Sequence, residues 1–275
     1  MISNTSFPSI ESHLPEMMDF VCYLAQEYQS GKIDSWQLMS EKVRIFFTPD
    51  RMEEIEGVAP GWRTMYSYAD GITLIHVMSV MAALPLCPEF QKATTTQQAL
   101  MKWVVLFHDI SKEVHQGQRD PTHGFRSAAR TGASLPQLGF AVTDDYAMLI
   151  EDWITLTNTA ITKQKKTALD IQDNRKLPKI IEVIEKMFGR HAPAARLVKT
   201  VLFHLSITVL EDWPQAAPLT KTEERRYLDS EQLAMLKIMM LVDNDSWTLF
   251  DLPTKERHRR DTLGVFGELE RNIAV

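Results

Sequence analysis

Apolar residues recur every three or four positions along most of the chain, while alternating stretches bounded by turn residues are scarce, so the pattern predicts an all-α protein. Residues 15–30 place Met18, Val21, Cys22 and Ala25 on one side of a helix. Ser35 stands as an N-cap before a second helix over 36–47, which Thr48-Pro49-Asp50 closes. Residues 51–61 read as a polar stretch with Gly57, Pro60 and Gly61. Further helical patterns cover 72–84, 101–112, 125–135, 144–157, 180–188, 194–210 and 230–250, with Ser230 as an N-cap for the last. That last stretch is apolar on nearly every side, which predicts a central, buried helix. A loop over 113–124 and a polar, aperiodic segment over 163–179 interrupt the series, and the basic tail at 255–260 reads as a solvated surface. The expected organisation is a helical bundle over 61–275, with a polar insertion near 158–179. A helical lead-in over 1–60 is expected to pack on it.

Composition narrows the function classes. The chain has 275 residues, 44% hydrophobic and 24% charged, with a net charge of −6 and no block of basic residues, which argues against long DNA or RNA as a partner. Cys22 and Cys87 lack metal-type spacing and suit a reducing cytoplasm. The N-terminal residues lack the basic and apolar regions of a secretory signal, and no apolar run approaches the ~20 residues needed to span a bilayer. A soluble, cytoplasmic protein with no membrane partner is expected, its oligomeric state unspecified.

The chemistry concentrates in MKWVVLFHDISK, residues 101–112, where His108 and Asp109 sit side by side near the end of an apolar run. Burying an imidazole beside a carboxylate is costly unless partners satisfy both. A divalent cation is one such partner, and a hydrogen-bonded core pair is the other. His76 lies among Ile72, Val80 and Ala83 on another apolar helix, a setting that a core histidine also favours. Asp243 and Asp245 interrupt the apolar 230–250 helix, where two carboxylates demand a cation, a hydrogen-bond network or a raised pKa. The loop after Lys112 carries His115, Arg119 and His123, with Arg126 and Arg130 just beyond; cationic side chains beside a metal suit an anionic substrate. For His115 a solvated loop position is the simpler reading.

The order H…HD…D resembles the HD-domain superfamily of metal-dependent phosphohydrolases, over about residues 70–250. FHDISK, with Lys112 following the HD pair, THGFRSAA and LVDNDSW all look like family segments, although Ser111 stands where the family commonly has Gly. The resemblance implies an all-α HD-type fold in which His76, His108, Asp109 and Asp243 hold a metal. Asp243 is preferred to Asp245 because it directly follows the apolar run. Members with a two-metal centre add two histidines, for which His123 and His204 are the candidates. His204 lies about eighty residues beyond His123, longer than the family usually allows. The helix over 144–157, which has no histidine, occupies the place of the usual donor, so one metal is the base expectation. Mn²⁺, Fe²⁺, Co²⁺, Ni²⁺ or Zn²⁺ suits such mixed N/O ligation better than Mg²⁺.

The implied activity is metal-assisted hydrolysis of a small phosphate ester, with nucleotides the first class to test. Asp109, Lys112 and His123 would take catalytic roles. Lys112, Arg119, His123 and Arg126 would contact the phosphate. Two alternatives remain open: a di-iron oxygenase on the same scaffold, which needs both extra histidines, and a non-catalytic metal- or nucleotide-binding regulator.

Overall fold

A computed structural model of the chain describes residues 7–65, 72–113, 120–165, 168–212 and 214–273. His115 and Arg119, two of the candidate loop residues, lie outside the described residues. The architecture is all-α. The first helices are α1 (Ile10–His13), α2 (Pro15–Gln29), α3 (Trp36–Phe46) and α4 (Pro49–Val58). The polar stretch at 51–61 is therefore largely helical, as part of the helical lead-in expected over 1–60. Pro49 occupies the first turn, the Thr48 hydroxyl accepts from the Arg51 N–H, and Met52 and Ile55 turn inward.

The bundle proper contains α5 (Ile72–Ala83), α6 (Pro88–Lys92), α7 (Thr95–Phe107), α8 (His123–Ser134), α9 (Tyr146–Asn158), α10 (Leu177–Phe188), α11 (Pro193–Phe203), α12 (Lys221–Tyr227), α13 (Ser230–Trp247) and α14 (Leu252–Ile273). Two helix boundaries differ from the sequence expectation. Asp229, not Ser230, caps α13, its carboxylate accepting from the Gln232 N–H at 2.8 Å. The helix expected over 194–210 stops at Phe203, so His204 stands just beyond its end.

The polar insertion folds as a short antiparallel hairpin, β1 (Ile161–Lys163) with β2 (Asp170–Gln172), in which Thr162 faces Ile171. The tail is solvated at Glu256, Arg257 and Arg260, but not throughout. Residues 255–260 belong to α14, and Arg259 bonds both Asp245 and, at 2.8 Å, Glu89.

Helices α5, α7, α11 and α13 form the centre. All of α5 after its first residue is buried, α11 is buried from its second residue on, and α7 and α13 bury most of their apolar positions. Helices α5, α7 and α13 pack on one another, and α11 packs on α7, α8 and α13. One continuous apolar core runs from Ile10 to Leu269 and includes Met39, Val43, Met52 and Ile55 of the lead-in. Burying each such side chain contributes about 1.5–3 kcal/mol, so α3 and α4 are fixed to the bundle by the same force that holds the bundle together. Among the described residues no helix is long and apolar enough to cross a membrane.

Candidate metal centre

The polar residues that this core encloses converge on one point. His76 comes from the middle of α5, His108 from the C-terminus of α7, Asp109 from the turn that follows, and His123 from the first position of α8. His204 comes from the C-terminus of α11 and Asp243 from α13. The four histidines are 0–4% exposed and Asp109 is 1% exposed, whereas the Asp243 side chain retains 20%. The donors fall into two adjacent groups, His76–His108–Asp243 and Asp109–His123–His204, each with its ligand atoms within 4.8 Å of one another.

Asp109 joins the two groups. Its Oδ1 lies 2.9 Å from His123 Nε2, 3.6 Å from His108 Nε2 and 3.8 Å from His204 Nε2. Its Oδ2 lies 3.6 Å from His76 Nε2 and 2.6 Å from Lys112 Nζ. In the first group His76 Nε2 is 3.0 Å from Asp243 Oδ1 and 3.4 Å from His108 Nε2. In the second, His123 Nε2 and His204 Nε2 are 3.0 Å apart.

Each imidazole is turned by a hydrogen bond from its other nitrogen. The Nδ1–H groups of His108, His123 and His204 donate to the carbonyls of Val105 (2.8 Å), Asp120 (2.5 Å) and Val201 (2.6 Å), each three residues back. His76 Nδ1 lies 3.0 Å from Ser246 Oγ, and the Ser246 hydroxyl already donates its one proton to the Asp243 carbonyl at 2.6 Å. Nδ1 of His76 must therefore be the donor. In their neutral forms all four rings then present an Nε2 lone pair, and these atoms face one another in pairs at 3.4 and 3.0 Å. Two acceptors so placed repel unless a cation lies among them, and two imidazoles with a carboxylate are good ligands for one. The buried groups thus fit divalent cations.

The electrostatics agree. Burial, reinforced by the neighbouring His123 and His108, pushes the His204 ring down to about 3. Burial also lowers His108, against the pull of Asp109 and Asp243. For Asp109 burial acts upward, but Lys112 and the rings of His108 and His123 outweigh it and hold the carboxyl well below its usual value. Asp243 likewise resists the upward push of burial, and the His76 ring, its Nε2 3.0 Å from the carboxylate, holds it at about 2. The Lys112 ammonium is opposed by burial, yet Asp109 raises it above its ordinary value, so it stays charged.

These shifts set an acid limit on the metal-free protein. The unfolded chain protonates its histidines near pH 6.5, well above the point at which folded His204 does, so stability falls as pH drops through the window from about 6.5 to 3. Asp109 and Asp243 contribute stability above the ordinary carboxylate range and lose it only at still lower pH. At pH 5 the His204 contribution alone costs about 2 kcal/mol, or about 4 °C in a chain of this size. Thermal melts of chelator-treated protein at pH 7.5 and pH 5 should show that drop. A flat profile would mean that His204 is accessible to protons in the fold.

Second contacts hold the donors in place. The Ser127 hydroxyl on α8 accepts from the Ser111 N–H at 3.2 Å, pinning the turn that carries Asp109. Asp120 accepts from the N–H groups of Glu113 (2.7 Å) and Thr122 (3.2 Å), fixing the loop whose carbonyl orients His123. At Gly124 any added Cβ would stand 2.8 Å from Gln172 Nε2 and 3.3 Å from the Leu202 carbonyl, so α8 and α11 approach closely only because this residue has no side chain. Trp247 stacks on His76, ring centroids 4.4 Å apart at 18°. Replacing Ser246 with alanine should free the His76 ring to adopt the other tautomer and weaken metal binding about 10- to 100-fold, measurable by competition with a chromophoric chelator; unchanged affinity would remove Ser246 from this role.

The sequence expectations sort accordingly. His76, His108, Asp109, His123, His204, Asp243 and Lys112 come together. Asp245, the alternative to Asp243, points away: it bonds Arg259, and burial, against the pull of Lys255 and Arg259, keeps its carboxyl above the ordinary value. Arg126 is not directed at the centre. Its guanidinium bonds Asp120, Thr122 and the Ser111 carbonyl, bracing the loop. No histidine of α9 is involved, since it has none; α11 supplies that donor.

Ser246, Trp247 and Asp120 were not singled out from sequence. His204 had an overlooked signal. Residues 105–108 and 201–204 both read Val-Leu-Phe-His, and in each the histidine follows a helix end and bonds the valine carbonyl.

Comparison with known proteins adds no family: no family model, no curated protein and no solved structure matches this chain.

Proposed function

We propose that this chain is a metal-dependent phosphohydrolase of the HD type, acting on a small phosphate ester, with nucleotides the first class to test. The observation that carries the reading is the pair of facing Nε2 couples with Asp109 between them and the Lys112 ammonium at their edge. His76, His108 and Asp243 would hold one cation, His123 and His204 a second, and Asp109 would serve both. Cations bound there would activate a water as nucleophile and offset the negative charge that builds on the phosphoryl group.

The chain's own contribution is orientation and access. Asp243 and Lys112, with side chains 20% and 19% exposed, are the open edge of an otherwise closed cluster, so a phosphate arrives beside them. The Lys112 Nζ–H groups can bond a phosphate oxygen there, and the ammonium can supply the proton that the departing alkoxide takes up as the P–O bond breaks. The apolar walls of α5, α7 and α13 keep bulk water from the donors and strengthen each of these interactions.

The test is phosphate release from p-nitrophenyl phosphate and a panel of nucleotides, after stripping the protein and reloading it with Mn²⁺, Fe²⁺, Co²⁺, Ni²⁺ or Zn²⁺. Turnover that appears with metal and disappears with chelator is expected. Silence across the panel at full metal occupancy would favour a metal-holding regulator. The same four imidazoles around a carboxylate favour one further reading, O₂-dependent oxidation at a di-iron centre; oxygen consumption by the iron-loaded protein without phosphate release would select it.

A further inference from the structure

Next to the open edge of the centre lies a cleft of about 410 Å³, lined by Trp36, Ser40 and Arg44 of α3, Ile75 and His76 of α5, and Trp247 of α13. Its volume falls in the range of small-molecule sites, whereas a phosphate group alone would leave most of it empty. The α3 residues are spaced by four and form one stripe, so the lead-in supplies a whole wall. Both tryptophans keep large exposed surfaces, Trp36 at 36% and Trp247 at 51%.

Neither indole is loose. Trp247 lies nearly parallel to the His76 ring, and the Lys112 ammonium sits over it at 5.9 Å. Trp36 is held edge-on by Phe250, with centroids 5.3 Å apart at 85°, and Phe250 is in turn braced by Tyr28, whose hydroxyl donates to the Leu249 carbonyl at 2.8 Å. Rigid, half-exposed indoles lose little entropy on binding and prefer flat rings that can stack or meet them edge to face. Trp247 follows Asp243 by one helical turn, so the indole and the carboxylate share a face of α13.

We propose that this cleft seats the organic part of the substrate and that this part contains a planar aromatic ring, held between Trp36 and Trp247 while its phosphate reaches the edge at Lys112 and Asp243. The phosphate end of this assignment rests on the hydrolase reading; the aromatic end does not. The N-terminal lead-in is then part of the specificity apparatus as well as of the core.

The test uses the full metal-loaded chain and two phosphonates that cannot be hydrolysed, (2-naphthyl)methylphosphonate and methylphosphonate, titrated calorimetrically. The naphthyl compound should bind at least tenfold more tightly, and Trp36→Ala should collapse that preference by about tenfold, as loss of one stacking partner does. Trp36 touches no metal donor and is partly exposed, so the variant tests the cleft without disturbing the centre; Trp36→Leu, which restores apolar area without a ring, should also lose the preference. Equal affinities in the unsubstituted protein, or a preference that survives both Trp36 variants, would overturn the proposal. The naphthyl preference persisting where phosphate release fails with every metal would sink the hydrolase reading and keep the aromatic subsite. Release from naphthyl phosphate that is indifferent to Trp36 would do the reverse.

Discussion

Asp109→Ala should empty the centre and abolish turnover while the protein still folds. Asp109 belongs to the second group and borders the first, with Oδ1 turned to His123, His108 and His204 and Oδ2 turned to His76 and Lys112. Its loss removes a ligand from the second group and a bordering carboxylate from the first, and leaves two pairs of imidazoles with a single carboxylate, Asp243, to balance cationic charge. Loss of the cations and of their charge stabilisation should lower turnover by roughly a thousandfold or more, equivalent to about 4 kcal/mol of barrier. The fold should survive because the Lys112 side chain is 19% exposed and its ammonium can turn toward solvent once its partner is gone. Elemental analysis of the purified variant, beside its circular dichroism, checks both halves. Full metal occupancy in Asp109→Ala would contradict the arrangement.

His204→Gln separates one cation from two. The substitution keeps a side chain of similar reach in a site that is 1% exposed, but removes the Nε2 lone pair that faces His123 at 3.0 Å. Metal content should fall from two equivalents per chain to one, and phosphate release should fall about a hundredfold, as one of the two charge-stabilising positions is lost. His76, His108 and Asp243 stay in place, so the remaining equivalent should bind with little change. Two equivalents retained in the variant would show that His204 is a core histidine and not a ligand of the second cation.

The HD pair was legible because an imidazole and a carboxylate at the end of an apolar run cannot be indifferent to what surrounds them. His76 and Asp243 were legible only as polar residues in buried helices, which gives the cost and not the partner. Asp243 and Asp245 could not be separated by periodicity, since both have apolar residues three and four positions back. Two residues turn a helix by about 200°, so one carboxylate meets His76 and the other meets Arg259 on α14, a helix that the basic residues at 255–260 do not announce. His204 was undervalued because its distance along the chain says nothing of the packing of α11 against α7 and α8 that returns it to the centre. The charge of Arg126 suits a phosphate, but its pairing with Asp120 depends on how the loop closes, which residue order does not encode. The cleft was out of reach for the same reason: Trp36 and Trp247 are more than two hundred positions apart, and only the packing of α3 against α5, with α5 against α13, makes them neighbours.

The central claim is that side chains from five helices and the turn after α7 are arranged to hold divalent cations. Anomalous diffraction from crystals grown with Mn²⁺ tests it most directly. The expected result is two peaks, one in contact with His76, His108 and Asp243, the other with His123 and His204, and Asp109 touching both. A map with no peak within reach of His108 and Asp109 would contradict the claim.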